Sequence, residues 1–221
     1  MRTSGLESLQ HYFTAPYYTM VRFGKWNDIL KEPFPDRDLL YPLGTLHYAR
    51  GMAYVGIGSP HQARKELEVL DNLGNSPQLE PLRIWEINKV TDILAIASDV
   101  LAGEIAAYRG KTDKAIHHLA AGVDKEMNLL FDEPPPWCFP VREALGQVLL
   151  EAGYLDRAKE VFRKDLLKNS ENPWSLYGLA LTMKKQGNSD LELETLKRFR
   201  KAWSRADVEM KGLVLSRMTA N

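Results

Sequence analysis

The stretch His47–Leu70, HYARGMAYVGIGSPHQARKELEVL, decides the architecture. Gly51 and Gly58 stand seven residues apart, Ala63 follows five residues after the second glycine, and Leu67 four after that. The same spacing recurs as Gly103, Gly110, Ala115 and Leu119, and again as Gly146, Gly153, Ala158 and Phe162. At an ordinary glycine usage of about 7%, one such glycine pair is expected by chance. Three copies of the whole pattern are not. Two weaker copies flank them: Tyr17 and Ile29 around Gly24, and Ala180 and Leu196 around Gly187. The second glycine falls at 24, 58, 110, 153 and 187, at intervals of 34, 52, 43 and 34 residues.

Helix packing accounts for this grammar. The first glycine or alanine sits inside a helix where a second helix approaches closely. The second glycine ends that helix in the left-handed conformation it tolerates. After a short turn, the alanine lies where the second helix crosses the first, and the large residue four later fills the shared core. Each unit is then a helical hairpin that cannot bury its own apolar face and must stack on its neighbours.

Period and residue types together resemble the tetratricopeptide repeat (TPR), a helical hairpin of about 34 residues. Tyr54 takes that family's Tyr-like position in the second unit, and ALGQVLLEAGYLDRAKEVF, residues 144–162, keeps its Leu-Gly pair at Leu145–Gly146. The resemblance covers about residues 15–205. It implies an all-α fold, a right-handed α-solenoid of about five stacked hairpins in a single domain, and a concave face lined by the first helices as the binding surface. It also implies a non-catalytic scaffold for a peptide or protein partner.

The hairpins are expected near 7–35, 41–75, 82–129, 140–170 and 174–205. Pro33 and Pro35 cut the first short. The long interval between Gly58 and Gly110 is assigned to one long central helix over 82–109, because the segment after Pro81 up to Tyr108 has no proline or helix-stopping cluster. The 43-residue interval is assigned to an inserted loop, FDEPPPWCF at 131–139, whose triple proline forbids helix and favours extended chain. The tail, 206–221, fits either a capping helix or coil.

Composition narrows the function. The 221 residues are 44% hydrophobic and 26% charged, with 29 Lys and Arg against 29 Asp and Glu. That balance gives no support for nucleic-acid or membrane-surface binding. Cys138 is the only cysteine, so neither an internal disulfide nor a multi-cysteine metal site can form. No apolar run is long enough to span a membrane and the N-terminal residues do not read as a signal peptide, so a cytoplasmic location is expected. No cofactor is expected.

Counting from the glycines gives the residues expected on the concave face. They are Tyr48, Met52 and Val55; Val100, Glu104, Ala107 and Tyr108; Glu143, Gln147, Leu150 and Glu151; and Trp174, Tyr177, Leu181 and Lys184. Aromatics there supply contact area and sparse polar groups fix orientation. The binding candidates are Tyr48, Glu104, Tyr108, Glu143, Gln147, Trp174 and Tyr177, joined by Arg142 and by Asp132, Glu133 and Trp137 of the proline loop. In one reading that loop folds over the groove with Trp137 as a lid. In the other, Trp137 and Phe139 plug the gap left by the insertion, and Cys138 is a small apolar filler.

Catalytic and metal signals are weak. His117 and His118 are adjacent and diverge on a helix. There is no His-Glu-x-x-His, Gly-x-Ser-x-Gly or phosphate-cradling glycine loop. His47 reads first as a structural histidine with a satisfied partner; in the alternative reading it meets Glu104 across helices, and the two with the Asp132–Glu133 loop make a small-molecule or metal-binding domain with enzymatic chemistry. The basic run Lys197–Trp203 reads as an amphipathic last helix, with Leu196, Phe199 and Trp203 inward. An apolar end of the stack makes a homodimer through a terminal repeat an expectation.

Overall fold

The structure is a computed structural model that describes residues 7–208. Five glycines set its rhythm. Gly24, Gly58, Gly110, Gly153 and Gly187 adopt φ between +61° and +82°. In each case two backbone bonds close the preceding helix, as where Gly58 N–H donates to Val55 O and Ser59 N–H to Tyr54 O. Left-handed glycine costs no Cβ clash, so these five positions become the hairpin corners.

The chain divides into two compact units, residues up to Cys138 and residues from Phe139 onward. In the first unit, a 3-10 turn at Glu7–Leu9 leads into α1 (Gln10–Arg22) and α2 (Trp26–Lys31). Next come α3 (Leu40–Gly56) with α4 (Pro60–Gly74), and α5 (Val90–Tyr108) with α6 (Thr112–Met127). First helices stack on one another, α1 on α3 and α3 on α5, and each also packs against its hairpin partner. The second unit holds α7 (Val141–Glu151) with α8 (Leu155–Lys168), and α9 (Pro173–Lys185) with α10 (Ser189–Ala202), with α7 packed on both α8 and α9. Ile29, Leu46, Met52, Leu70, Ile93, Leu101 and Leu119 form the buried interior of the first unit, and Phe162 and Leu176 that of the second.

The small residue inside each first helix does what its spacing demands. A Cβ on Gly103 would lie 2.6 Å from Leu119 Cγ, the large residue of the same hairpin. In the second hairpin the intruder differs: a Cβ on Gly51 would lie 2.4 Å from Leu101 of α5. Leu67 is only half-buried there, and Leu70 takes the interior position.

One expectation is corrected. The central helix does not begin at residue 82. Arg83–Ile84 (β1) pairs antiparallel with Asn88–Lys89 (β2), in the register Arg83 to Lys89 and Ile84 to Asn88. Helix α5 starts only at Val90. Trp85 and Glu86 make the turn at φ 49° and 62°, without a glycine. Ile84 is buried and Trp85 stands edge-on to Tyr12 of α1, with ring centroids 5.5 Å apart. Tertiary packing of β-branched and aromatic side chains thus outweighs the helical pattern. The proline segment is irregular from Leu129 to Pro140, and its Glu133–Pro134 peptide is cis. The tail is described only as far as Val208, whose carbonyl accepts from Trp203 Nε1 at 3.0 Å. The capping-helix alternative therefore lies outside the described residues.

Candidate functional site

The inward stripe of α1 carries His11, Thr14 and Tyr18, spaced so that all lie on one helix face. Tyr41, Thr45 and Tyr48 do the same on α3. The two stripes meet. His11 Nδ1 and the Tyr41 hydroxyl are hydrogen-bonded at 2.8 Å, with the rings nearly parallel. Tyr18 packs on Tyr48 with centroids 6.0 Å apart. Burial pushes the phenols of Tyr18, Tyr41 and Tyr48 well above their ordinary ionisation range, and Glu104 adds to the effect at Tyr48. Burial also lowers His11, against a smaller opposing pull from the Asp132 carboxylate.

The proline loop closes over these rings. Trp137 is 5% exposed. Its indole stands edge-on to Tyr18 at 5.5 Å and to Tyr48 at 5.6 Å. The loop is anchored at its start by a side chain that imitates a strand. Asn88 Nδ2 donates to Leu130 O at 3.0 Å, and Leu130 N–H donates to Asn88 Oδ1 at 2.9 Å. Between these anchors Phe131 is 86% exposed and Glu133, Pro134 and Pro135 are exposed, while Pro136, next to Trp137 in the chain, is buried. Asp132 is half-buried and accepts from Glu133 N–H. Cys138 is exposed, so it is not the apolar filler expected of it.

Two sequence candidates, Tyr48 and Trp137, are therefore brought together directly. Glu104 is fully buried beside Tyr48 rather than lining an open surface. Its expected partner is elsewhere. His47 Nδ1 is 2.6 Å from Glu66 Oε2 on α4, and Arg50 Nε donates to the other oxygen of that carboxylate at 3.0 Å. The helix partner one turn away in the same hairpin captures the histidine before Glu104 can. Tyr108 is 42% exposed, and its hydroxyl lies over Gly58.

In the second unit, Glu143 and Gln147 are buried. Glu143 accepts from Asn172 Nδ2 at 2.8 Å, and Gln147 Nε2 donates to Glu151 at 2.8 Å. Asn172 also caps α9 by accepting from Trp174 N–H, and it donates to the buried Asp165. Trp174 and Tyr177 are half-buried and pack on the last helix, Trp174 against Trp203 at 4.9 Å and Tyr177 against Phe199 at 5.3 Å. Arg142 is half-buried and Lys184 exposed.

His11, Tyr18 and Tyr41 were not singled out by the glycine count. The signal was present as polar and aromatic residues at helical spacing on two neighbouring first helices. Among the described residues no group of three or more His, Cys, Asp or Glu side chains could hold a metal ion. Among them also no helix is long and apolar enough to cross a membrane.

No family model and no curated protein matches the sequence. A solved structure does: a Podosopora anserina kinesin light chain with nearly identical TPR-like repeats, 14% identical, over 92% of this chain and 98% of that one, with a TM-score of 0.52. At that identity the likeness speaks to architecture. Together with the helical hairpins and their glycine corners, it shows that this chain has a TPR-like, all-α repeat fold.

Proposed function

We propose that the chain is a non-catalytic interaction module, cytoplasmic in location, that takes up an extended segment of another protein along the inward faces of its first helices. One observation carries this reading. The α1–α3 face already holds an irregular segment, the chain's own Phe131–Cys138, through an indole set against Tyr18 and Tyr48. A surface that seats one irregular, aromatic-anchored segment has the chemistry to seat others. Among the sequence candidates, Tyr108 and Glu133 of the first unit and, separately, Arg142, Trp174 and Tyr177 of the second keep enough exposure for contacts with a partner on their own unit.

The test is capture of partners by the intact chain beside the double variant Tyr108→Ala/Trp174→Ala, with helicity followed by circular dichroism. Partners retained by the wild type and lost by a variant of unchanged helicity support the reading. Equal capture by both removes these residues from the contact surface. A homodimer is read in the same samples from the sedimentation coefficient at two concentrations.

A further inference from the structure

We propose that residues 131–138 are a resident ligand of the α1–α3 face, and that a partner segment of the same chemistry enters by displacing Trp137. That chemistry is an acidic pair followed by prolines and a single indole. The proposal rests on reading this face as a peptide site.

Three features of the loop separate it from an ordinary connection. It is held near its two ends, the Leu130 backbone by Asn88 and Trp137 by two tyrosine rings, with Phe131, Glu133, Pro134 and Pro135 exposed between them. That is how a bound peptide is held, by a backbone clamp and an anchor side chain. Second, its three prolines, Pro134 to Pro136, stiffen it, so little conformational freedom is lost on docking. Third, the docked state is not fully satisfied. Trp137 Nε1 and Asp132 Oδ2 are both buried without a hydrogen-bond partner. The face offers ring contact to the indole and nothing to its N–H, so the anchor end of the loop is held by packing alone. An occupant held this way excludes weak competitors and yields to one that makes further contacts, which lowers the apparent affinity of any partner by the fraction of time the loop is docked.

The probe is a fluorescein-labelled nonapeptide copied from Leu130–Cys138 with serine in place of the cysteine, titrated into the full chain and read by anisotropy. Trp137→Ala empties the site and is expected to bind the peptide at least ten times more tightly than the wild type. A peptide with alanine in place of its indole should not compete. Equal affinity for both chains, or no binding to a folded Trp137→Ala chain, overturns the proposal. Should that variant unfold, hydrogen exchange of the wild type decides. Excess peptide is expected to speed exchange at the loop amides from Leu130 to Cys138, and unchanged exchange overturns the proposal. A partner captured equally by wild type and Trp137→Ala would sink the resident-ligand role while leaving the interaction module standing.

Discussion

Phe162 shows how tightly single residues are specified. It is fully buried between two first helices: a Cβ on Gly146 would lie 2.5 Å from its Cε1, and a Cβ on Gly178 would lie 2.3 Å from its Cζ. A rigid ring with glycine on both sides has no room to retreat. Gly178→Ala is expected to destabilise the second unit by about 1–3 kcal/mol through overpacking. Phe162→Leu in the same chain should recover part of that loss, because the two sites share one volume. Urea midpoints of the two singles and the double check this, and strict additivity would refute it. The buried phenols give a second prediction at the same scale. Tyr18, Tyr41 and Tyr48 are raised by burial, so the folded state keeps protons that the unfolded chain releases above about pH 10. Their contribution is complete below that pH and is lost as pH rises beyond it. His11 is lowered by burial, so stability is unaffected by it above about pH 6.5 and falls as pH drops through that value toward its folded pKa. Each such group gives a slope of at most about 1.4 kcal/mol per pH unit. Denaturant titrations from pH 5 to 11 should show loss at both ends, with His11→Gln flattening the acid limb and Tyr41→Phe reducing the alkaline slope.

At the scale of elements, the loop and the small hairpin depend on one another. Asn88 is buried, and its side chain satisfies both backbone groups of Leu130 across a separation of 42 residues. Asn88→Ala leaves that N–H and carbonyl without partners, which costs about 1–3 kcal/mol where they stay buried. Asn88→Asp keeps the acceptor for Leu130 N–H and loses the donor, so an intermediate loss is expected. Hydrogen exchange at Leu130 should accelerate in both variants, and unaltered exchange would show that Trp137 alone holds the loop. The same segment marks the limit of what the sequence disclosed. Helices ending at a left-handed glycine could be placed from the chain itself, because glycine there answers a local steric demand. The β1–β2 hairpin could not, since Trp85 and Glu86 take positive φ with no glycine to announce it, and the ring that Trp85 meets, Tyr12, lies more than seventy residues earlier. The loop disclosed its own irregularity through three prolines. Which rings Trp137 would meet was hidden in the stacking of α1 on α3. His47 has the carboxylate partner a structural histidine needs, but it is Glu66 and not Glu104, since spacing fixes the face of a helix and not which neighbour supplies the carboxylate.

For the whole molecule, the repeat fold makes stability a sum of local terms, because each hairpin buries its apolar face only against its neighbours. Asp165 provides a sensitive lever. It is fully buried on α8 and accepts from Asn169 at 2.8 Å, Asn172 at 2.8 Å and Ser175 at 2.5 Å, joining α8 to the start of α9. Asp165→Ala strands three donors, and the expected loss is about 2–4 kcal/mol, several times the cost of an exposed substitution. In a chain that opens unit by unit, that loss is confined to the unit carrying the substitution. Peptide-resolved hydrogen exchange should therefore show reduced protection across α7–α10, with α1–α6 close to wild type. Uniform loss over all ten helices would mean instead that residues 7–208 unfold as one cooperative body, and the two compact units would then be a feature of geometry without a counterpart in energy.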